Sequence, residues 1–265
     1  MIVRAEGDRL VIFRQADHAH LSGRLAAAWG REPWDAATPF PDAVLGARLH
    51  DDAWEPFDAA PGFEAGKPLS FFEVDRVTTS ALYAAGAEAV SALDPYAGLL
   101  VSLHYSGFFH SHWGWAPFST PDRFPQVQAA AIRAFLTGEA RRQRQLRSRL
   151  NLGPQGEKRL EVNYKWLQVW DRVSLDICRQ SPVEPWVIQY PAIPVTYEGR
   201  REVAIKFAMV APGRYTLNPY PLLPGPFPVR VPLVIIDAGM ATREQFLEAW
   251  RSAPQQFLEA EINAA

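Results

Sequence analysis

The chain has 265 residues, 48% of them hydrophobic and 21% charged, a composition that supplies enough apolar mass for a sizeable core. With 27 Lys plus Arg against 29 Asp plus Glu, the formal net charge is -2, so bulk electrostatics do not favour nucleic acid as a partner. The single cysteine, Cys178, excludes an internal disulfide and a cysteine-cluster metal site, and there is no apolar leader in MIVRAEGDRLVIF and no run of about 18 apolar residues, so the reading is a cytoplasmic protein without a membrane partner.

The opening residues read as two short strands around a turn at Glu6-Gly7-Asp8, because β-branched and apolar residues flank a Gly-Asp pair. From Gln15 to Trp29 the spacing becomes helical, with His18, Leu21, Ser22, Leu25 and Trp29 on one stripe and His20 on the other side. Pro41-Asp42 opens a second helix that runs to about Trp54 and places Ala43, Ala47, His50, Asp51 and Trp54 on a shared face. The Gly- and Pro-rich AAPGFEAGKPLSFF reads as a loop. A third helix is expected over Val77 to Leu93. A fourth starts at Asp94-Pro95 and carries Tyr96, Leu100, Leu103, His104 and Gly107 along one side.

An irregular aromatic loop follows, containing His110, His112, Trp113 and Trp115, and then a helix from about Pro125 to Leu150 whose second half bears five arginines. That run reads as a solvated face rather than a phosphate contact. Beyond Gly153-Pro154 a long amphipathic helix turns Leu160, Tyr164, Leu167, Trp170, Asp171, Ser174 and Cys178 inward. After Pro182 the texture changes to Pro-punctuated β segments, read as a small antiparallel sheet, and the chain closes in a helix interrupted near Pro254. The expected architecture is mainly α, a helical bundle with an N-terminal β-hairpin and a small C-terminal antiparallel β segment, α+β overall. Residues 1–265 are read as one domain, with a helical core over 15–180, a Pro-rich β subregion over 183–236 and a C-terminal helix over 241–265.

Four predicted helices each turn a polar group inward: His18, His50 with Asp51, His104, and Asp171. Burying such groups without partners is costly, and a divalent ion that imidazole and carboxylate both suit, iron, manganese, nickel or zinc, would satisfy them together. No Gly-rich phosphate loop, nucleophile elbow or His-Glu-x-x-His motif occurs.

The order His, then His-Asp, then a distant Asp on a late helix resembles the HD-domain superfamily of metal-dependent phosphohydrolases. The contexts that carry the likeness are QADHAHLSGRLAAAWG around His18, AVLGARLHD ending in His50-Asp51, and LQVWDRVS around Asp171. The wording is similar to that of an uncharacterised bacterial branch, a domain of unknown function, and covers about residues 15–180. The resemblance implies a helical core with His18, His50, Asp51 and Asp171 as ligands to a divalent metal, and hydrolysis of a small phosphorylated or nucleotide substrate. His50, Asp51, Asp52 and His104 are the catalytic candidates that follow from it. The superfamily commonly has Glu or Lys three residues after the Asp, and Trp54 stands there instead. Two alternatives accompany this reading: a di-iron oxygenase of the same fold with His104 as an added ligand, and a non-catalytic small-molecule binding protein whose pocket is formed by Trp54, Phe71, Phe72, Trp113 and Trp115 over a degenerate site. A homo-oligomer is compatible with each.

Overall fold

The computed structural model describes residues 1–109, 120–198 and 201–265. β1 (Ile2–Glu6) and β2 (Arg9–Phe13) form the first hairpin, with Gly7 supplying the left-handed φ of +63° that its turn needs. The helices α1 (Gln15–Ala28) and α2 (Phe40–Leu49) follow, then a 3-10 turn over Asp52–Trp54 and the short α3 (Glu55–Ala59). The Gly- and Pro-rich stretch read as a loop contains a small hairpin of its own, β3 (Phe63–Glu64) and β4 (Lys67–Pro68).

The next two helices start where acidic caps put them. Asp75 accepts from the backbone N–H groups of Val77 and Thr78 at 2.9 and 3.0 Å to open α4 (Arg76–Leu93). Asp94 does the same for Tyr96 and Ala97 at 2.9 and 2.7 Å, with Pro95 in the first turn of α5 (Pro95–Gly107). α6 (Gln126–Leu150) ends at Asn151, whose φ of 49° closes the helix in the left-handed region, and α7 (Pro154–Arg179) runs back through the centre of the molecule. The arginines of α6 are partly paired, Arg142 with Glu139 and Glu88, and Arg147 with Glu157.

The remaining strands are β5 (Trp186–Pro194), β6 (Glu202–Ala211), β7 (Arg214–Asn218), β8 (Phe227–Asp237) and, after α8 (Arg243–Ser252), β9 (Gln256–Ala264). They join the first hairpin in one seven-stranded sheet of order β1-β2-β8-β9-β7-β6-β5, which curls into a half-barrel. It is mixed, because β7 and β9 run parallel while the other neighbouring strands are antiparallel.

The expectation of a mainly α helical bundle is therefore overturned: about half the chain is helical, and the helices share the fold with a large seven-stranded mixed sheet. Two local misreadings account for it. The N-terminal hairpin is no isolated ornament, since β2 pairs with β8 from Arg9↔Asp237 to Ile12↔Val234. The C-terminal helix expected over 241–265 is confined to Arg243–Ser252, behind a Thr242/Gln245 capping box. The following QFLEAEINA is a strand set between β8 and β7. Its Leu, Glu and Ala residues favour helix intrinsically, but strand pairing overrides that preference, with Leu258, Ala260 and Ile262 turned to the packed side.

α7 couples the two halves. One side packs against α1, α2 and α5, and the other lies on β1 and β5. Fully buried Trp166 donates from Nε1 to the Pro194 carbonyl at 2.7 Å, tying α7 to β5. The rings of Trp29, Trp34, Trp166 and Trp170 pack with centroids 5.1–6.3 Å apart in the same core. Among the described residues, no helix is long and apolar enough to cross a membrane.

Candidate metal centre

Four helices deliver the site. α1 presents His18 from its inner stripe, and Gly23 on the same helix lets α2 come close: a Cβ at Gly23 would sit 2.7 Å from the Arg48 Cβ and 2.9 Å from its Cα. α2 stops at Leu49, so His50 and Asp51 do not continue a helix as expected. His50 is the cap, and Asp51 has φ −125°, ψ 14°. This unwinding lets adjacent residues address one centre. α7 contributes Asp171 and α5 contributes His104. All five are buried, with His18 and His50 fully enclosed.

The His18 Nε2 lies 3.0 Å from Asp51 Oδ2, and the His50 Nε2 lies 3.2 Å from Asp171 Oδ1. The cross distances, His50 Nε2 to Asp51 Oδ2 and His18 Nδ1 to Asp171 Oδ1, are both 3.9 Å. Ring centroids are 5.2 Å apart for His18 and His50, and 4.8 Å for His50 and His104. Two triplets, His18/His50/Asp51 and His50/His104/Asp171, bring one possible ligand atom from each residue within 4.8 Å of the others. The His18 Nδ1 is held 3.0 Å from Ser174 Oγ, which also sits 2.8 Å from Ser22 Oγ, so α7 and α1 orient the ring together.

His50 reveals what the centre lacks. Its Nδ1 donates to the Ala47 carbonyl at 2.8 Å, an acceptor only, so a neutral ring turns the lone pair of Nε2 toward the Asp171 carboxylate. Two acceptors then face each other at 3.2 Å unless a proton or a metal cation lies there. In the protein alone a proton does so. Burial by itself would lower the His50 imidazole, but the charge of Asp51 and the hydrogen bond and charge of Asp171 outweigh it and hold it at about 9. Burial pushes Asp171 up, yet the bonded and charged His50 ring leaves it far below the usual carboxylate range. His104 is lowered to about 4, by burial first and then by the charge of His50.

The fit to a divalent ion rests on atoms that find no protein partner. Both ring nitrogens of His104, the Asp51 Oδ1 and the Gln15 Oε1 are buried without a hydrogen-bond partner among the described residues. Such groups are rare and costly in a folded protein. Two to three imidazoles with two carboxylates form a donor set that iron, manganese, nickel or zinc accepts.

The structure thus brings together His18, His50, Asp51 and Asp171, with His104 on the His50 and Asp171 side. Asp52 belongs to neither triplet. It starts the 3-10 turn, half-buried, and burial followed by repulsion from Glu55 raises its carboxyl to about 6. Trp54 is core, packed against Phe57, Phe71 and Tyr83 rather than lining an open pocket. His20 faces a separate groove of about 630 Å³ with Asp17, Glu55 and Trp250. His110, His112, Trp113 and Trp115 lie outside the described residues. Sequence reasoning missed Gln15, whose Nε2 donates to Asp51 Oδ2 at 3.2 Å; Arg172, next after Asp171 in the chain, has a buried Nε without a partner among the described residues. Gln15 falls one turn before His18 on the same stripe, a spacing that could have marked it.

An α+β chain with a buried His/Asp cluster suited to a divalent cation is the class that fold and site define. Residues 1–238 match the model of DUF3891, described as a protein of unknown function, and the chain belongs to that family. No curated protein and no solved structure matches it.

Proposed function

We propose that this protein is a metal-dependent hydrolase of a small phosphorylated or nucleotide substrate, with His18, His50, Asp51 and Asp171 holding the ion in the order of HD-superfamily sites. The observation that carries the proposal is the buried convergence of His18, His50, Asp51, His104 and Asp171 in two triplets, with both ring nitrogens of His104 and the Asp51 Oδ1 left without a partner among the described residues. A divalent ion there supplies an acidified water and polarisation of a phosphoryl oxygen. The chain's own residues fix the geometry: the Ala47 carbonyl selects the His50 tautomer, Ser174 steadies His18, and Asp51 and Asp171 supply the negative charge.

A phosphate needs a cation, and α7 supplies two. Arg172 directly follows Asp171, and Arg179, two turns on, lies over the half-exposed Phe72 ring at 4.5 Å and interacts electrostatically with Asp176, Arg172 and Asp171. Guanidinium groups match phosphate oxygens in charge and geometry. A cytoplasmic setting fits the buried, free thiol of Cys178.

The test is elemental analysis of protein purified without an immobilised-metal column, followed by a phosphomonoester and nucleotide screen. About one or two equivalents of metal per chain, lost together with turnover in His50→Ala and Asp51→Ala variants that remain folded, is the expected result. Wild-type protein that takes up no metal on reconstitution refutes the proposal. The second triplet, His50/His104/Asp171, favours one further reading, a di-iron oxygenase. That reading requires two irons per chain, substrate-dependent oxygen consumption and no phosphate release.

A further inference from the structure

Gln15 is 1% exposed, and the nitrogen end of its amide is committed to the centre. Its Nε2 donates to Asp51 Oδ2, the same oxygen that meets His18 Nε2, while its Oε1 is buried with no partner among the described residues. The opposite amide orientation would set two oxygens against each other at 3.2 Å, so Asp51 dictates which end points where. The backbone is pinned as well. α1 has no capping side chain from Arg14, and Asp58 takes over that task from α3, accepting the Gln15 backbone N–H at Oδ2 over 2.7 Å.

We propose that Gln15 is a positioning residue of the metal centre: through Nε2 it holds Asp51 so that Oδ1 is free for the ion, and through Oε1 it accepts a hydrogen bond from a water in the centre. This rests on the metal-centre reading above. A glutamine kept only for packing or stability would not leave its carbonyl oxygen unpaired in a fully enclosed position. One that orients a ligand and a water needs both ends of the amide, and partners of this kind govern metal affinity without touching the ion.

The experiment measures Mn²⁺ and Zn²⁺ binding to metal-stripped protein by calorimetry, with thermal melts of the metal-free and metal-loaded forms, for wild type, Gln15→Met and Gln15→Glu. For Gln15→Met, affinity weakens about 10–100-fold, while the metal-free form, in which a thioether of similar size replaces the amide, keeps its cooperative melt. Gln15→Glu places a second carboxylate beside Asp51, so its metal-free melt falls and added metal raises it by more than in wild type. Wild-type affinity in Gln15→Met, or a metal-induced shift in Gln15→Glu no larger than that of wild type, overturns the proposal and leaves the metal centre standing. Absence of binding in wild type itself overturns both.

Discussion

Asp171 and Asp176 sit on the same helix and are both buried, yet their surroundings push them in opposite directions. Burial raises both, but Asp171 is bonded by a charged His50 and ends far below the usual range. Asp176, whose Oδ2 accepts from the Tyr190 hydroxyl at 2.9 Å, stays raised, with Arg172 only partly offsetting the burial. A raised carboxyl binds its proton more tightly in the folded than in the unfolded chain, so this group's contribution to stability falls as pH rises from about 4, the unfolded value, through the folded one. Asp176→Asn keeps an acceptor for Tyr190 and removes the titration. Its stability relative to wild type, measured by denaturant melts between pH 3 and 8 (about the range in which a carboxyl titrates), increases with pH through that window. A constant difference across the range refutes the assignment. The ligand candidates were legible at this scale because each fell on an inward stripe where a polar residue is conspicuous. Asp52, a catalytic candidate by its place after His50-Asp51, opens the 3-10 turn and lies outside both triplets.

At the scale of elements, the site depends on how closely helices cross. Gly98 on α5 lies against the last turns of α4, and a Cβ there would sit 2.4 Å from both the Cα and Oγ of Ser91 and 2.7 Å from its backbone nitrogen. Backbone cannot yield as a flexible side chain does, so Gly98→Ala destabilises by about 1–3 kcal/mol, the range for overpacking a well-filled interior. Because α5 carries His104, the variant also perturbs the centre. A chemical melt checks the first effect, and a wild-type midpoint contradicts the crossing described. Helix starts were well marked in the sequence, since Asp75 and Asp94 cap their helices locally. The end of α2 was not, because nothing in LHDDAW forbids helix; the chain unwinds at Asp51, where tertiary contacts to His18 and Gln15 hold the carboxylate.

For the whole molecule, the decisive feature is the position of β9. Lying between β8 and β7, it turns two separate sets of strands into one sheet, and without it both neighbours become open edges. A chain stopped after Ser252, which retains α8, is expected to aggregate or to lose the cooperative melt. Size-exclusion chromatography and near-UV circular dichroism read that outcome, and a monodisperse, cooperatively melting product would show that β9 is dispensable. The sequence by itself determined the hairpin, most of the helices, and that His18, His50, Asp51, His104 and Asp171 turn inward, because helical periodicity and capping are local and a buried polar residue stands out on an apolar stripe. Only the tertiary structure decided that QFLEAEINA is a strand, that β2 joins β8 far along the chain, that α2 unwinds at Asp51, and that Gln15 hydrogen-bonds that carboxylate. These follow from long-range pairing and from the requirement to satisfy buried polar atoms: the alternation of Leu258, Ala260 and Ile262 with glutamates suits a strand, but which strands it joins is not written in the local residues.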